Sequence, residues 1–234
     1  MKSIALYGPS YWKRDKLPFS APILAVVIDV LRATSTMVTA FANGVQRIYP
    51  SSDLQNAFSF RDWFPQTKLA GEKGGIRIDG FDFGNSPHEF LDRAPLDFDL
   101  VMLTTNGTRA FQSTDQAQEV IAASFLNLRV VIEKVKRWKG DVAYFCAGTG
   151  NDFSLEDAIV AGAILNEVDT THPLVSLYRS TCRDLPRVFR QSKNGAHLVQ
   201  IGLESDIDLC LEIDRFPILP YYNSHQGIVS CSME

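Results

Sequence analysis

Short runs of β-branched and apolar residues alternate along the chain with longer stretches of helical period, and the runs often end in clusters of Gly, Ser, Thr or Asn. That alternation is the pattern of α/β architecture. It predicts strands over residues 23–28, 68–70, 100–103, 120–122 and 142–145, and helices over 35–42, 54–63, 108–111, 126–138 and 154–168. Strands so continuously apolar belong to a sheet covered on both faces. From Thr170 onward the texture turns helical, around 174–189, 196–202 and 206–212, which reads as a helical C-terminal cap on the core. The acidic–apolar alternation over 206–211 also fits a strand. Pro217 and Pro220 mark an extended exit. One compact α/β domain over 1–222, as one body or two lobes, with a loosely anchored tail from Asn223 to Glu234, is therefore expected.

Composition narrows the function classes. The 234 residues are 45% hydrophobic and 21% charged, ordinary globular usage, so a packed interior is affordable and wholesale disorder is out. Against 27 acidic residues stand 23 Lys and Arg, for a net charge of −4, and the basic residues are scattered. Nucleic acid and anionic membranes both need a concentrated positive field, so neither is an expected partner. The longest apolar stretch, 21–31, is broken by Pro22 and Asp29 and falls short of the roughly 20 residues that span a bilayer. The N-terminus has no signal-peptide pattern, which gives a cytoplasmic expectation. Cys146, Cys182, Cys210 and Cys231 are far apart, form no C-x-x-C pair, and are expected as reduced thiols. The oligomeric state stays open, a homo-oligomer included.

Ligands of open α/β sheets bind beyond the carboxyl ends of the strands, so the strand tips carry the candidate chemistry. After the first strand come Asp29, then Arg32, then the hydroxyl run Thr34, Ser35 and Thr36 opening a helix. A carboxylate there can hold a divalent cation, and Arg and hydroxyls suit a phosphate. The alternative is a structural Asp29–Arg32 pair at an ordinary helix start. After the second strand lie Glu72, Lys73 and the glycines 71, 74 and 75, then Arg77, Asp82, Asn85 and Ser86. The order of residues excludes a Walker A loop. The third tip carries Thr105, Asn106, Gly107, Thr108 and Arg109. At the fourth, Cys146 invites comparison with cysteine-dependent phosphatases, but the residue six positions on is Asp152 rather than Arg, so Cys146 reads as a packing residue and Asp152 as a candidate metal ligand. Ser154 and Asp157 fit a capping box. His88, just inside a helix start, is a candidate for protonating a leaving group, with a solvated role as the alternative; His172 and His197 have no motif context. No G-x-G-x-x-G fingerprint supports a dinucleotide enzyme. Taken together, the tips point to one small polyanionic ligand and a divalent cation, hence to phosphoryl chemistry, with a non-catalytic anion-binding protein as the rival class.

The motifs Ile28-Asp29-Val30-Leu31-Arg32-Ala33-Thr34-Ser35-Thr36, Gly71-Glu72-Lys73-Gly74-Gly75, Gly80-Phe81-Asp82-Phe83-Gly84-Asn85-Ser86-Pro87, Thr104-Thr105-Asn106-Gly107-Thr108 and Cys146-Ala147-Gly148 resemble the 2-phosphosulfolactate phosphatases in order and interval. The pattern Ser192…Gly195…Leu198…Gly202…Asp206-Ile207…Cys210…Asp214 resembles theirs as well, whereas His225 to Glu234 matches nothing in it. The resemblance implies a three-layer α/β/α fold with a largely buried mixed sheet. It also implies a Mg²⁺-dependent hydrolase that converts 2-phospho-3-sulfolactate to 3-sulfolactate and phosphate; another phosphorylated hydroxy acid is the alternative substrate. Under it, Asp29 and Arg32 are the catalytic candidates. Thr34, Ser35, Thr36, Lys73, Arg77, Asn85, Ser86, Thr105, Asn106, Gly107, Thr108 and Arg109 are the substrate-binding candidates. Asp29, Glu72, Asp82 and Asp152 are the metal candidates, and Asp29 is open to two roles, metal ligand or attacking carboxylate. The position two residues after Asp29 is Leu31, so the acid/base partner of haloacid-dehalogenase-type phosphatases is missing.

Overall fold

The computed structural model describes residues 1–12, 22–91 and 95–232. Among the described residues, ten strands form one sheet: β1 (Ser3–Leu6), β2 (Ile23–Ile28), β3 (Arg47–Ser51), β4 (Lys68–Lys73), β5 (Ile76–Arg77), β6 (Leu100–Leu103), β7 (Glu119–Ala123), β8 (Asp141–Cys146), β9 (Leu219–Asn223) and β10 (Ile228–Ser232). The helices are α1 (Pro9–Trp12), α2 (Ala33–Ala42), α3 (Leu54–Trp63), α4 (Gly107–Gln112), α5 (Leu128–Arg137), α6 (Leu155–Val168), α7 (Pro173–Thr181), α8 (Leu185–Gln191), α9 (Lys193–Gln200) and α10 (Glu204–Cys210). The order across the sheet is β1-β8-β2-β7-β9-β10-β3-β6-β4-β5. No helix among the described residues is long and apolar enough to cross a membrane.

The expected three-layer α/β/α arrangement follows from period-2 burial on both faces. On β2, Leu24, Val26 and Ile28 join one core with α5, α6 and the C-terminal helices, while Ile23, Ala25 and Val27 join a second core with α2 and α4. β7 and β8 divide in the same way, which is why these strands read as unbroken apolar runs. A third, smaller core packs Ala57 of α3 against Leu69 and Val101.

The C-terminal segment departs from expectation. Instead of a loosely anchored tail, residues 219–232 form the antiparallel β9–β10 hairpin in the middle of the sheet, between β7 and β3, with Val229 fully buried. Its low hydrophobicity concealed it, since it meets the two cores largely through partly buried side chains, Tyr221 on one face and Tyr222 and Cys231 on the other. Residues 233 and 234 of that tail lie outside the described residues, as does Ala21 of the longest apolar stretch. The segment 206–211, open to either reading, is helical: Asp206, Ile207, Leu209 and Cys210 share a buried face.

The hairpin joins two parallel runs, β1-β8-β2-β7 and β3-β6-β4, that have opposite senses in the ladder. Strand twist of roughly 20–25° per step accumulates over the five steps from β2 to β6 and swings the second run's carboxyl ends toward those of the first.

Candidate active site

Those converging ends enclose a cavity of about 250 Å³. Asp29, Leu31 and Arg32 reach it from the end of β2, and Glu72, Gly74 and Gly75 from β4 and its turn. Thr104, Thr105 and Asn106 come from the end of β6, Asn85 from the loop before α4's strand, and Asn194, His197 and Leu198 from α9.

The start of α2 builds the first tip. The Asp29 carbonyl accepts from Thr34 N at 2.9 Å, the Asp29 N–H donates to Thr34 Oγ1 at 3.1 Å, and Asp29 Oδ1 accepts from Ala33 N at 3.4 Å. Ser35 Oγ donates to the Val30 carbonyl and Thr36 Oγ1 to the Asn85 carbonyl. Thr34, Ser35 and Thr36, expected on an anion, are thus wholly buried and engaged by the chain itself; they shape the tip from behind. Gly107 lets α4 approach closely, because a Cβ there would lie 2.7 Å from Ala33 Cβ and 2.9 Å from Asp29 Oδ2. Glu72 is held by Gly75 N on Oε2 at 2.7 Å and by the Thr105 hydroxyl on Oε1 at 3.1 Å.

Arg32 does not pair with Asp29. Its Nη1 donates to Asp206 Oδ2 at 2.6 Å, and its Nη2 to the Gly75 carbonyl at 2.9 Å. Ser86 Oγ donates to the other Asp206 oxygen at 2.6 Å, so Ser86 braces the site from the interior. Thr108 is buried on Thr104 and the Ser51 carbonyl. Lys73 and Arg77 are exposed on the β4–β5 hairpin, and Arg109 is half-buried on α4; none of the three lines the cavity.

Carboxyl groups outnumber bases around the cavity, and burial makes them hold their protons. Burial raises the Asp29 carboxyl to about 7; the nearby Glu72 and Glu156 carboxylates add to the rise, while the Ala33 N–H and Arg32 oppose it. Asp157 is pushed well above the carboxylate range by burial, then by Asp29 and Glu156. Ser154 caps α6 through Asp157 N, but Asp157 completes no capping box: its oxygens accept from Val30 N at 2.9 Å and Gly148 N at 3.2 Å, tying β2's tip to β8's. Burial also raises Glu156, against Ser192, Asn194 and Ser154, and its Oε1 has no hydrogen-bond partner among the described residues. Cys146 lies in the core with its thiol driven far up by burial, the packing role expected of it.

Of the four metal candidates, Asp29 and Glu72 share the cavity. Asp82 is elsewhere, accepting from Leu69 N and pairing with Lys68 and Arg61, and Asp152 is exposed and ion-paired with Lys193 at 2.9 Å. No group of three His, Cys, Asp or Glu side chains suited to a metal forms among the described residues. Two carboxylates nevertheless fit Mg²⁺, which takes one or two together with water and substrate oxygens. Asn85 also lines the cavity, and its buried Oδ1, without a partner among the described residues, is a further hard oxygen of the same side chain.

A family model described as 2-phosphosulpholactate phosphatase matches residues 13–225. The chain belongs to that family. Similar proteins include one from Thermotoga maritima, 37% identical over 84% of this chain and 87% of its own, and one from Clostridium acetobutylicum, 33% identical over 86% and 89%. A third, from Picosynechococcus sp., is 34% identical over 94% and 95%. All three carry the name "Probable 2-phosphosulfolactate phosphatase".

In this member of the 2-phosphosulpholactate phosphatase family, sequence reasoning missed Asn194, His197, Glu156 and the partner role of Asp206. The Ser192…Gly195…Leu198…Asp206 pattern held a signal: Ser192 caps α9 through Gly195 N, and the close pass of Gly195 by the Phe189 carbonyl leaves no room for a Cβ, which aims α9 at the cavity. His197 Nε2 meets the Gly74 carbonyl at 3.0 Å. His88 and His172 have structural contacts instead, with the Ser205 carbonyl and Leu174 N.

Proposed function

We propose that this chain hydrolyses 2-phospho-3-sulfolactate to 3-sulfolactate and orthophosphate, with magnesium as its activating cation. The observation that carries the reading is that Asp29 and Arg32, only three residues apart, both reach one small cavity without neutralising each other. Family membership supports the substrate, and the paired carboxylates Asp29 and Glu72 support the cation.

In the reaction, a water oxygen bonds to phosphorus while the bond from phosphorus to the C2 oxygen breaks. The electron pair stays on that oxygen, which takes up one proton as the attacking water gives one up, so that the products are the C2 alcohol and orthophosphate. Asp29 and Glu72 would hold Mg²⁺, with the Asn85 amide oxygen beside them; when bound, the ion offsets charge on the phosphoryl oxygens. Arg32 meets phosphoryl oxygens with the guanidinium N–H groups not spent on Asp206 and Gly75. Asn106 has its Oδ1 occupied by Gly150 N, so its amide N–H₂ faces the ligand as a donor. Asn106 and Asn194 suit the carboxylate and sulfonate, which need donors without further charge.

The test is orthophosphate release by the purified protein from 2-phosphosulfolactate and from its sulfur-free analogue 2-phospholactate, with Mg²⁺ or after exhaustive chelation. Release that needs the cation and favours the sulfonated substrate is expected. No release, or undiminished release after chelation, overturns the reading.

A further inference from the structure

Arg32 and Asp206 form a buried ion pair, with side chains 3% and 1% exposed, between positions 174 residues apart in the chain. Two fully desolvated charges rarely stabilise a fold more than apolar residues of the same volume would, so stability alone gives this pair little reason to exist. Its surroundings suggest another role. Arg32 shares the cavity with two carboxyl groups, Asp29 and Glu72, and is paired with a third, Asp206. A flexible guanidinium at the helix start would settle on Asp29, neutralising both groups at once. Asp206 prevents this by supplying a better-placed acceptor on the far side, and Ser86 Oγ on its Oδ1 fixes the orientation of that acceptor.

We propose that Asp206 is a positioning residue: it holds the Arg32 guanidinium away from Asp29, so that the cation stays free for phosphoryl oxygens and the carboxylate for a metal ion. The proposal rests on the phosphatase reading above. Asp206 acts only through Arg32 and touches no reacting atom. Ser86 is the brace that keeps the carboxylate from rotating.

The test combines steady-state kinetics with calorimetric titration of orthophosphate, the product and a minimal probe of the anion site, on the full chain. Asp206→Asn keeps the shape and removes the charge; Ser86→Ala removes only the brace and is the milder variant should Asp206→Asn fail to fold. Both should weaken orthophosphate binding and raise KM, by roughly tenfold for Asp206→Asn, the equivalent of one charge-assisted hydrogen bond, with a smaller fall in kcat. Combining Asp206→Asn with Arg32→Lys should add little to the effect of Arg32→Lys alone. Lower thermal stability with unchanged KM and orthophosphate affinity in both variants overturns the proposal, as does full additivity in the double mutant. A native protein that neither binds orthophosphate nor releases it from any phosphomonoester overturns the phosphatase reading instead, and this proposal with it.

Discussion

Replacing Asp29 by Asn should abolish most activity and, at the same time, make the protein more stable above neutral pH. The Asp29 carboxyl is raised from its ordinary 3.8 to about 7, chiefly by burial. The folded protein therefore keeps this proton over a pH range in which the unfolded chain has lost it. The stability that the proton contributes is fully present below pH 3.8 and is lost as the pH climbs towards 7. The gap of about three pH units corresponds to ~4 kcal/mol at 1.36 kcal/mol per unit, and the part recovered by an uncharged isostere is about 2–4 kcal/mol. For a domain of this length that is roughly 4–16 °C in Tm. Asp29→Asn and the native protein should melt together near pH 4 in a chelator, diverge through pH 4–7 with the variant higher, and hold a constant gap above. Added Mg²⁺ should raise the native Tm and leave the variant unmoved. Turnover should fall by about two to four decades, or roughly 3–5 kcal/mol of barrier. A variant no more stable than the native protein at pH 8, or one with native kcat, would refute the reasoning.

Gly107→Ala forces a Cβ against Ala33 Cβ and Asp29 Oδ2 and should cut kcat by roughly 10–100-fold in a folded protein, as a displaced reactive group does; native kinetics would show that α4 does not position Asp29. Cys146→Ser should retain measurable turnover, because the buried thiol sits in the core with its proton held tightly; background rates in a folded variant would restore a thiol mechanism. Ser154→Ala removes the α6 N-cap and should lower stability by about 1 kcal/mol in denaturant titration, leaving KM for the phosphomonoester unchanged.

What was legible in the sequence was local. β2, β6 and the cores of β7 and β8 announced themselves because both of their faces are buried, and Asp29 stood out as the one charge closing an apolar strand. β3 was hidden by Pro50, which breaks the strand signal. In the sheet Pro50 is in register with Met102 of β6, while β3 pairs with β10 only at Arg47 and Ile48. β1 is short, with its first two residues only half-buried, and carries too few apolar positions to register. The insertion of the β9–β10 hairpin between β7 and β3 and the Arg32–Asp206 pair depend on contacts between distant segments, and no local period encodes those. All four metal candidates stand out in the segments that follow strand tips; Asp29 and Glu72 share the cavity, whereas Asp82 and Asp152 are engaged by neighbouring bases, a difference that only the tertiary arrangement decides.

The cost of this site is concentrated in a way that supports a functional origin. Away from the cavity, the cores built on β2 and β8 are mainly apolar, with side chains alternating between two layers, although the buried Tyr144 hydroxyl on β8 has no hydrogen-bond partner among the described residues. Around the cavity several departures meet: Asp29 is held at a raised affinity for its proton, one buried oxygen each of Glu156 and Asn85 has no partner among the described residues, and Arg32 and Asp206 are desolvated as a pair. Each departure alone has a bland account, such as a cap or a strand-end pair. Their meeting within one small space does not, because a chain selected only for stability would replace any of them with an apolar residue of similar volume. Buried charged groups gathered this densely at one set of strand tips are the mark of a working site, because carboxyl groups outnumber bases there without any gain to the fold.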